Sequence, residues 1–203
     1  MFQSPSKIVC VGRNYVEHAK ELGNDVPVEP LIFLKPPSSV IRSGDEIVLP
    51  TDFSSHVEFE GEVGLVIGST LKNASESEAV LGIAGLVAVN DVTARDLQKK
   101  DSQWTRAKGF DTFCCVGEVR PGAFDPRAVE VVTRVNGEQR QHAFSSEMVF
   151  SIPFLVSYIS RIMTLMPGDL IATGTPAGVG RLASGDEVEI ELVGISRVVN
   201  RVR

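Results

Sequence analysis

The sequence predicts a mainly β protein with a few helices, of α+β class, and three observations point there. Short β-branched or alternating runs recur at 7–11, 31–34, 47–49, 56–67, 86–91 and 129–135. Asn136-Gly137 separates 129–135 from 138–142; the dipeptide suits a tight hairpin because both residues take positive φ, so these strands should pair antiparallel. Gly-Asp pairs at 44–45, 168–169 and 185–186 each precede an apolar run and read as turns that launch strands.

Helical signals are fewer. Residues 15–22 carry apolar or small side chains at Tyr15, Ala19 and Leu22, and Gly23-Asn24 then stops the pattern, which predicts a short exposed helix. Ser75 with Glu78 three positions on matches a capping box for a helix over 75–81. Over 151–165, Ser151 is the cap, Pro153 lies in the first turn, and Ile152, Leu155, Val156, Ile159, Ile162 and Met163 share one side, so this helix should pack on the sheet. No low-complexity segment or convincing linker divides the chain, and 1–203 reads as one domain.

Composition narrows the function. Apolar residues make up 43% and charged residues 23%, enough to bury a real core, and the net charge of −6 opposes binding to polyphosphates or anionic membranes. Nucleic acid and membrane are therefore not expected partners. The longest apolar stretch, near 80–89, is broken by glycines and falls short of the roughly 18 residues of a membrane span. Residues 1–10 are too short and polar for the apolar core of a signal peptide, so a cytoplasmic location is expected. The three cysteines, two of them adjacent at Cys114-Cys115, give neither a disulfide framework nor a zinc spacing and read as buried thiols.

The chemistry is concentrated in a few segments. Alternation over 56–66 puts Glu58, Glu60 and Glu62 on one strand face, about 6.6 Å between neighbours at roughly 3.3 Å per residue. Either they form a charged strand edge or something positive sits among them. Asp91 ends the apolar run 85–91 and offers a further oxygen ligand; such an all-oxygen set suits Mg²⁺ or Mn²⁺ better than zinc. His18 and Glu21 are spaced i, i+3 on the first predicted helix, either as a solvated surface pair or as a base oriented by a carboxylate. The loop 173–180, with Gly174 and Thr175, has backbone amides suited to an anion; without the lysine of a Walker loop, a carboxylate is a better guess than a nucleotide phosphate. Arg13, Lys35, Arg95 and Lys108 are further cations near apolar runs.

Taken in order, VGRNYVEHAKE (11–21), FLKP (33–36), FEGEVGLVIG (59–68), NDVTARDLQ (90–98), WTRAKGFDTFC (104–114) and GDLIATGTPAGVG (168–180) resemble the fumarylacetoacetate hydrolase superfamily over nearly the whole chain. The resemblance implies a mixed β-roll, a homodimer, and a divalent cation, Mg²⁺ or Mn²⁺, held by Glu60, Glu62 and Asp91, with Glu58 beside them or on an edge. It implies that 10–25 forms a mobile lid whose His18–Glu21 pair activates water, that Lys108 stabilises developing charge, and that Arg13, Lys35, Gln98, Gly174 and Thr175 lie near a bound oxo acid.

The implied activity is acylpyruvate hydrolysis, an acylpyruvase-type cleavage of the C–C bond in a small 2,4-dioxo acid that releases pyruvate. Alternatives on the same fold are oxaloacetate tautomerisation or decarboxylation, 2-hydroxyhepta-2,4-diene-1,7-dioate isomerisation, and a noncatalytic binder of oxo acids or metal. Without the SH3-like amino-terminal domain of the full-length tyrosine-degradation enzyme, the chain is expected among the short, acylpyruvase-like members. Its short 96–104 connection and FDTFC segment resemble the isomerase and tautomerase branches, with Cys115 where a proline commonly follows.

Overall fold

Period-two alternation is realised as three sheets. The computed structural model describes residues 5–21, 23 and 25–203; Leu22 and Asn24, part of the first predicted helix and its stop, lie outside them. The largest sheet runs in the order Leu31–Lys35, Ile8–Gly12, Leu170–Ala172, Gly61–Ile67, Ile83–Asp91, Cys114–Val116 and Val40–Arg42, with Arg120–Pro121 also paired to Ile83–Asp91. It is mixed: Ile8–Gly12 with Leu170–Ala172 and Val40–Arg42 with Cys114–Val116 are parallel pairs, while Gly61–Ile67 is antiparallel to both its neighbours. A second sheet orders Glu138–Phe144, Glu130–Val135, Glu187–Leu192, Ser196–Val202 and Glu46–Ile47. A third holds Gly180–Arg181, Val57–Phe59 and Thr93–Ala94.

The predicted hairpin forms, with Asn136 at φ 53° and Gly137 at φ 80° between Glu130–Val135 and Glu138–Phe144. The Gly-Asp turns share one mechanism. Each glycine has φ near 90°, and each aspartate accepts from the amide three residues back, Arg42, Met166 and Ala183 respectively, while its own amide returns a bond to the same residue. That reciprocal clamp ends the turn and aims the next residues into a strand.

The run 56–67 is not one strand. It divides at Glu60 into Val57–Phe59 and Gly61–Ile67, which belong to different sheets. Close approach explains the break: a Cβ on Gly61 would lie 2.0 Å from Thr133 Oγ1, so only glycine lets the chain pass the Glu130–Val135 strand. Side chains replace the missing ladder bonds, Asn90 Oδ1 accepting from the Glu60 amide at 3.0 Å and Gln141 Oε1 from the Gly61 amide at 3.0 Å. All seven residues of Gly61–Ile67 are buried and both of its edges are paired, so Glu60 and Glu62 are not on a charged strand edge.

The described residues contain five α-helices. Glu76–Leu81 carries the expected Ser75–Glu78 capping box. Ile152–Ile162 starts at its Ser151 cap and buries Ile152, Leu155, Val156 and Ile159 in one core with Val63 and Leu65 of the central strand. It stops short of the predicted Leu165 because Leu165 exchanges two backbone bonds with Leu71, at 2.9 and 3.0 Å, which pulls the chain extended. Val16–Glu21 is the first helix, and it is not simply exposed, since His18 and Ala19 are buried. Alternation gave no sign of Arg95–Lys100 and Thr105–Lys108, because each is too short to display a period. Cys10, Cys114 and Cys115 are free and buried, and burial pushes the Cys114 thiol up to about 12, which keeps it protonated and unreactive. No helix among the described residues is long and apolar enough to cross a membrane.

Asp169 ties the amino-terminal segment to this frame through Ser6 Oγ at 2.6 Å, the Lys7 ammonium and the Met166 amide at 2.8 Å. Burial pushes its carboxyl up, but those bonds outweigh burial and hold it below the ordinary carboxylate value. A depressed folded value gives stability that is full above about pH 4 and is lost as pH falls through the folded value. Asp169→Ala is therefore expected to cost about 2–3 kcal/mol at pH 7. Urea unfolding should show the difference from wild type shrinking only in strong acid; a constant difference down to pH 2 would contradict the assignment.

Candidate functional site

Strand register builds the acid cluster. Gly61 pairs with Asn90 and Glu62 with Val89, and the Asp91 amide donates to the Glu60 carbonyl at 2.9 Å, so Glu60 and Asp91 stand opposite each other across the antiparallel pair. Glu62 lies two residues along from Glu60, on the same side. One carboxylate oxygen from each of Glu60, Glu62 and Asp91 lies within 4.8 Å of the others, and all three residues are buried. At that separation each ionised pair repels by about 3.5 kcal/mol for an effective dielectric of about 20, so the cluster demands positive charge.

Three buried cations answer part of that demand. Lys108 Nζ bridges Glu60 Oε2 at 2.8 Å and Asp91 Oδ2 at 2.7 Å. Lys35 Nζ donates to Asp91 Oδ1 at 2.6 Å, and Arg95 joins Glu60 Oε1 at 2.6 Å to Glu58 Oε2 at 2.7 Å. Burial pushes Glu60 up, but Lys108 and Arg95 together outweigh it and hold the carboxyl well below the usual range. Burial lowers Lys108, yet Asp91 and Glu60 more than reverse this, leaving its ammonium charged. Among the described residues, no cation pairs directly with Glu62. Burial and the charges of Asp91 and Glu60 push it well up, opposed only in part by Lys108 and the Gly174 amide.

Within the cluster, Glu62 is the acid with least compensation. Converging hard oxygens with unbalanced negative charge fit a divalent cation that prefers oxygen ligands. Glu58 is outside the cluster, held by Arg95 and by His56 Nε2 at 2.8 Å.

The glycine-rich loop does bind carboxylates through its amides, but they are the protein's own. Gly174 N donates to Glu62 Oε2 at 2.7 Å and Gly178 N to Glu21 Oε1 at 3.0 Å. The other Glu21 oxygen meets His18 Nδ1 at 3.0 Å, which leaves Nε2 as the ring nitrogen without a partner among the described residues. His18 is only 4% exposed whereas Glu21 is exposed, so the imidazole of the pair is buried while its carboxylate reaches solvent.

His18, Glu60, Lys108, Thr175, Gln98 and Arg13 line a common cavity of about 270 Å³, walled also by Phe33 and Trp104. Thr175 is fixed by bonds to the Gly61 carbonyl at 2.9 Å and Gln141 Nε2 at 2.8 Å, and Gln98 accepts from Arg95. Gly174 and Lys35 are set behind this wall, spent on Glu62 and Asp91. Sequence reading left out Asn14 and Gln141 and gave Arg95 no role. Asn14 is fully buried and holds the Thr173 carbonyl at 2.8 Å and both backbone groups of Phe150, joining the root of the first helix to the loop that grips Glu62. The signal for it, a polar residue directly before a helix, is too common to stand out.

Comparisons with known proteins agree with this architecture. The sequence model of the fumarylacetoacetate (FAA) hydrolase C-terminal family matches residues 7–203. An Arabidopsis thaliana protein named oxaloacetate tautomerase FAHD1, mitochondrial, is 47% identical over 98% of this chain and 91% of its own length. Oxaloacetate tautomerase YisK of Bacillus subtilis is 41% identical over 98% of this chain and 70% of its own. The crystal structure of a 2-hydroxyhepta-2,4-diene-1,7-dioate isomerase from Mycobacterium marinum superposes with a TM-score of 0.90 at 47% identity, covering 98% of this chain and 75% of that one. A family match across almost every residue, with the acid cluster and its cations in place, means that this chain belongs to the fumarylacetoacetate hydrolase family.

Proposed function

We propose that this protein tautomerises a small 2-oxo acid of the oxaloacetate kind, using Mg²⁺ or Mn²⁺ held by Glu60, Glu62 and Asp91. The observation that carries the reading is the buried carboxylate cluster opening, through Glu60 and Lys108, onto the same cavity as His18. Its similarity to proteins named oxaloacetate tautomerase favours this chemistry over the acylpyruvate hydrolysis that the sequence first suggests.

A divalent cation held by Glu60, Glu62 and Asp91 would supply positive charge that lowers the cost of charge on an enolate oxygen. Lys108 adds a fixed ammonium beside that oxygen, held charged by Glu60 and Asp91. His18, aimed by Glu21, moves the proton: it takes the proton from the enol hydroxyl and delivers it to C3, where the electron pair of the C2=C3 bond forms the new C–H bond as C2=O forms, leaving the imidazole as it began. Phe33 and Trp104, 5.2 Å apart edge to face, limit water on one side of the cavity.

A second reading, hydrolytic cleavage of an acylpyruvate, is favoured by one observation: the His18–Glu21 pair is also the arrangement that activates water. Enol-oxaloacetate and acetylpyruvate, each supplied with Mg²⁺, separate the two. Rapid loss of enol absorbance without pyruvate is the expected result; pyruvate release from acetylpyruvate with no enol loss would replace tautomerisation by hydrolysis. His18→Ala is expected to lower kcat about 100-fold or more, the usual share of a positioned acid–base group. Glu60→Ala and Asp91→Ala should abolish turnover, and wild type should lose it in chelator.

Lys108 gives a test independent of turnover. In chelator, Lys108→Met leaves Glu60 and Asp91 without their shared ammonium and should cost about 3–5 kcal/mol of stability. Added Mg²⁺ should recover part of that loss in thermal melts. A variant as stable as wild type in chelator would contradict the charge balance described above.

A further inference from the structure

We propose that Arg13 and Lys99 form a clamp for the second carboxylate of the substrate, so that the site selects compact dicarboxylic oxo acids over monocarboxylic ones. The proposal rests on the reading of the carboxylate cluster as the end where the oxo acid reacts. Four cations line the cavity, and they divide into two pairs. Arg95 and Lys108 are buried and fully engaged with Glu58, Glu60 and Asp91. The side chains of Arg13 and Lys99 have no hydrogen bond or ion pair among the described residues.

Burial orders the pairs by depth. Lys108 is 1% exposed, at the floor, whereas Arg13 is half-buried and Lys99 exposed, towards the mouth. An acid with its oxo end on the floor projects its far end at this second pair. Arg13 is also held in an unusual backbone state, φ 58°, between Gly12, where a Cβ would meet Trp104 at 3.1 Å, and the locked Asn14. Non-glycine residues in this region are concentrated at ligand clamps, where the surroundings impose the conformation. A guanidinium presents paired donors that match a carboxylate, and an exposed ammonium adds charge without fixing geometry. At about 270 Å³ the cavity lies just under the roughly 300–1,000 Å³ of most small-molecule sites, which suits a compact acid.

Calorimetry on the Mg²⁺-loaded protein tests this without turnover, using 2-oxoglutarate and 2-oxopentanoate, equal in chain length and different only in the far carboxylate, with oxalate as a ligand for the floor alone. Wild type should bind 2-oxoglutarate about tenfold more tightly than 2-oxopentanoate, as expected for one charge-assisted contact. Arg13→Met with Lys99→Met should bring the two acids within about twofold while oxalate binds as before. Lys99→Met alone, at an exposed position, should reduce the preference about threefold and guards against misfolding of the double variant. Equal binding of the two acids by wild type, with oxalate still bound, would overturn the clamp and leave the floor intact. Failure to bind oxalate would overturn the floor and the clamp together.

Discussion

Three carboxylates brought within 4.8 Å of one another in a buried place set the terms for the rest of this molecule. Repulsion of about 3.5 kcal/mol per ionised pair is comparable with the whole stability of a domain once all pairs are counted, so the fold must supply compensation. It does so with side chains from separate segments: Lys35 from an edge strand, Arg95 and Lys108 from two short helices, and the Gly174 amide from a loop. None of these groups is near the acids in sequence except Arg95. The mixed sheet, with Gly61–Ile67 at its centre, is what lets all of them reach one point.

The compensation is uneven, and the unevenness has chemical use. Glu60 and Asp91 are paired with ammonium groups, whereas Glu62 relies on a backbone amide and a more distant lysine. A site neutralised completely by its own lysines would have no reason to accept a metal, and one with no lysines would not fold around its acids. Ammonium groups on Glu60 and Asp91, with only an amide on Glu62, fall between these limits. The same lysine that steadies Glu60 and Asp91 faces the cavity, where, in the reading proposed above, it would meet charge developing on a substrate oxygen.

Much of this was legible in the sequence where local rules dominate. The Asn136-Gly137 hairpin, the Ser75 capping box, the Ser151 cap and the Gly-Asp turns depend on residues within a few positions of one another, and each formed as those rules require. The division of 56–67 was not legible, because it depends on Thr133 and Gln141 pressing on Gly61 from a hairpin more than 70 residues away. Nor was the helix holding Lys108, four residues long, since a segment that short has no period to read. Glu60, Glu62 and Asp91 stood out by type and by resemblance, while the partners of the loop amides depended on a long-range fold. The loop at 173–180 was recognisable as an anion binder, but only the fold reveals that its anions are Glu62 and Glu21.

That last contact ties the two halves of the site together. A helix of six residues is far below the length at which isolated helices are stable, so Val16–Glu21 keeps its place through tertiary bonds. Asn14 anchors its root to Thr173, and Glu21 anchors its end to Gly178, both in the loop whose Gly174 holds Glu62. Glu21 divides its two oxygens between Gly178 and His18, so docking the helix and orienting the imidazole are one event. In the tautomerisation proposed above, an imidazole held in this way and only 4% exposed would favour proton return to carbon over attack by water.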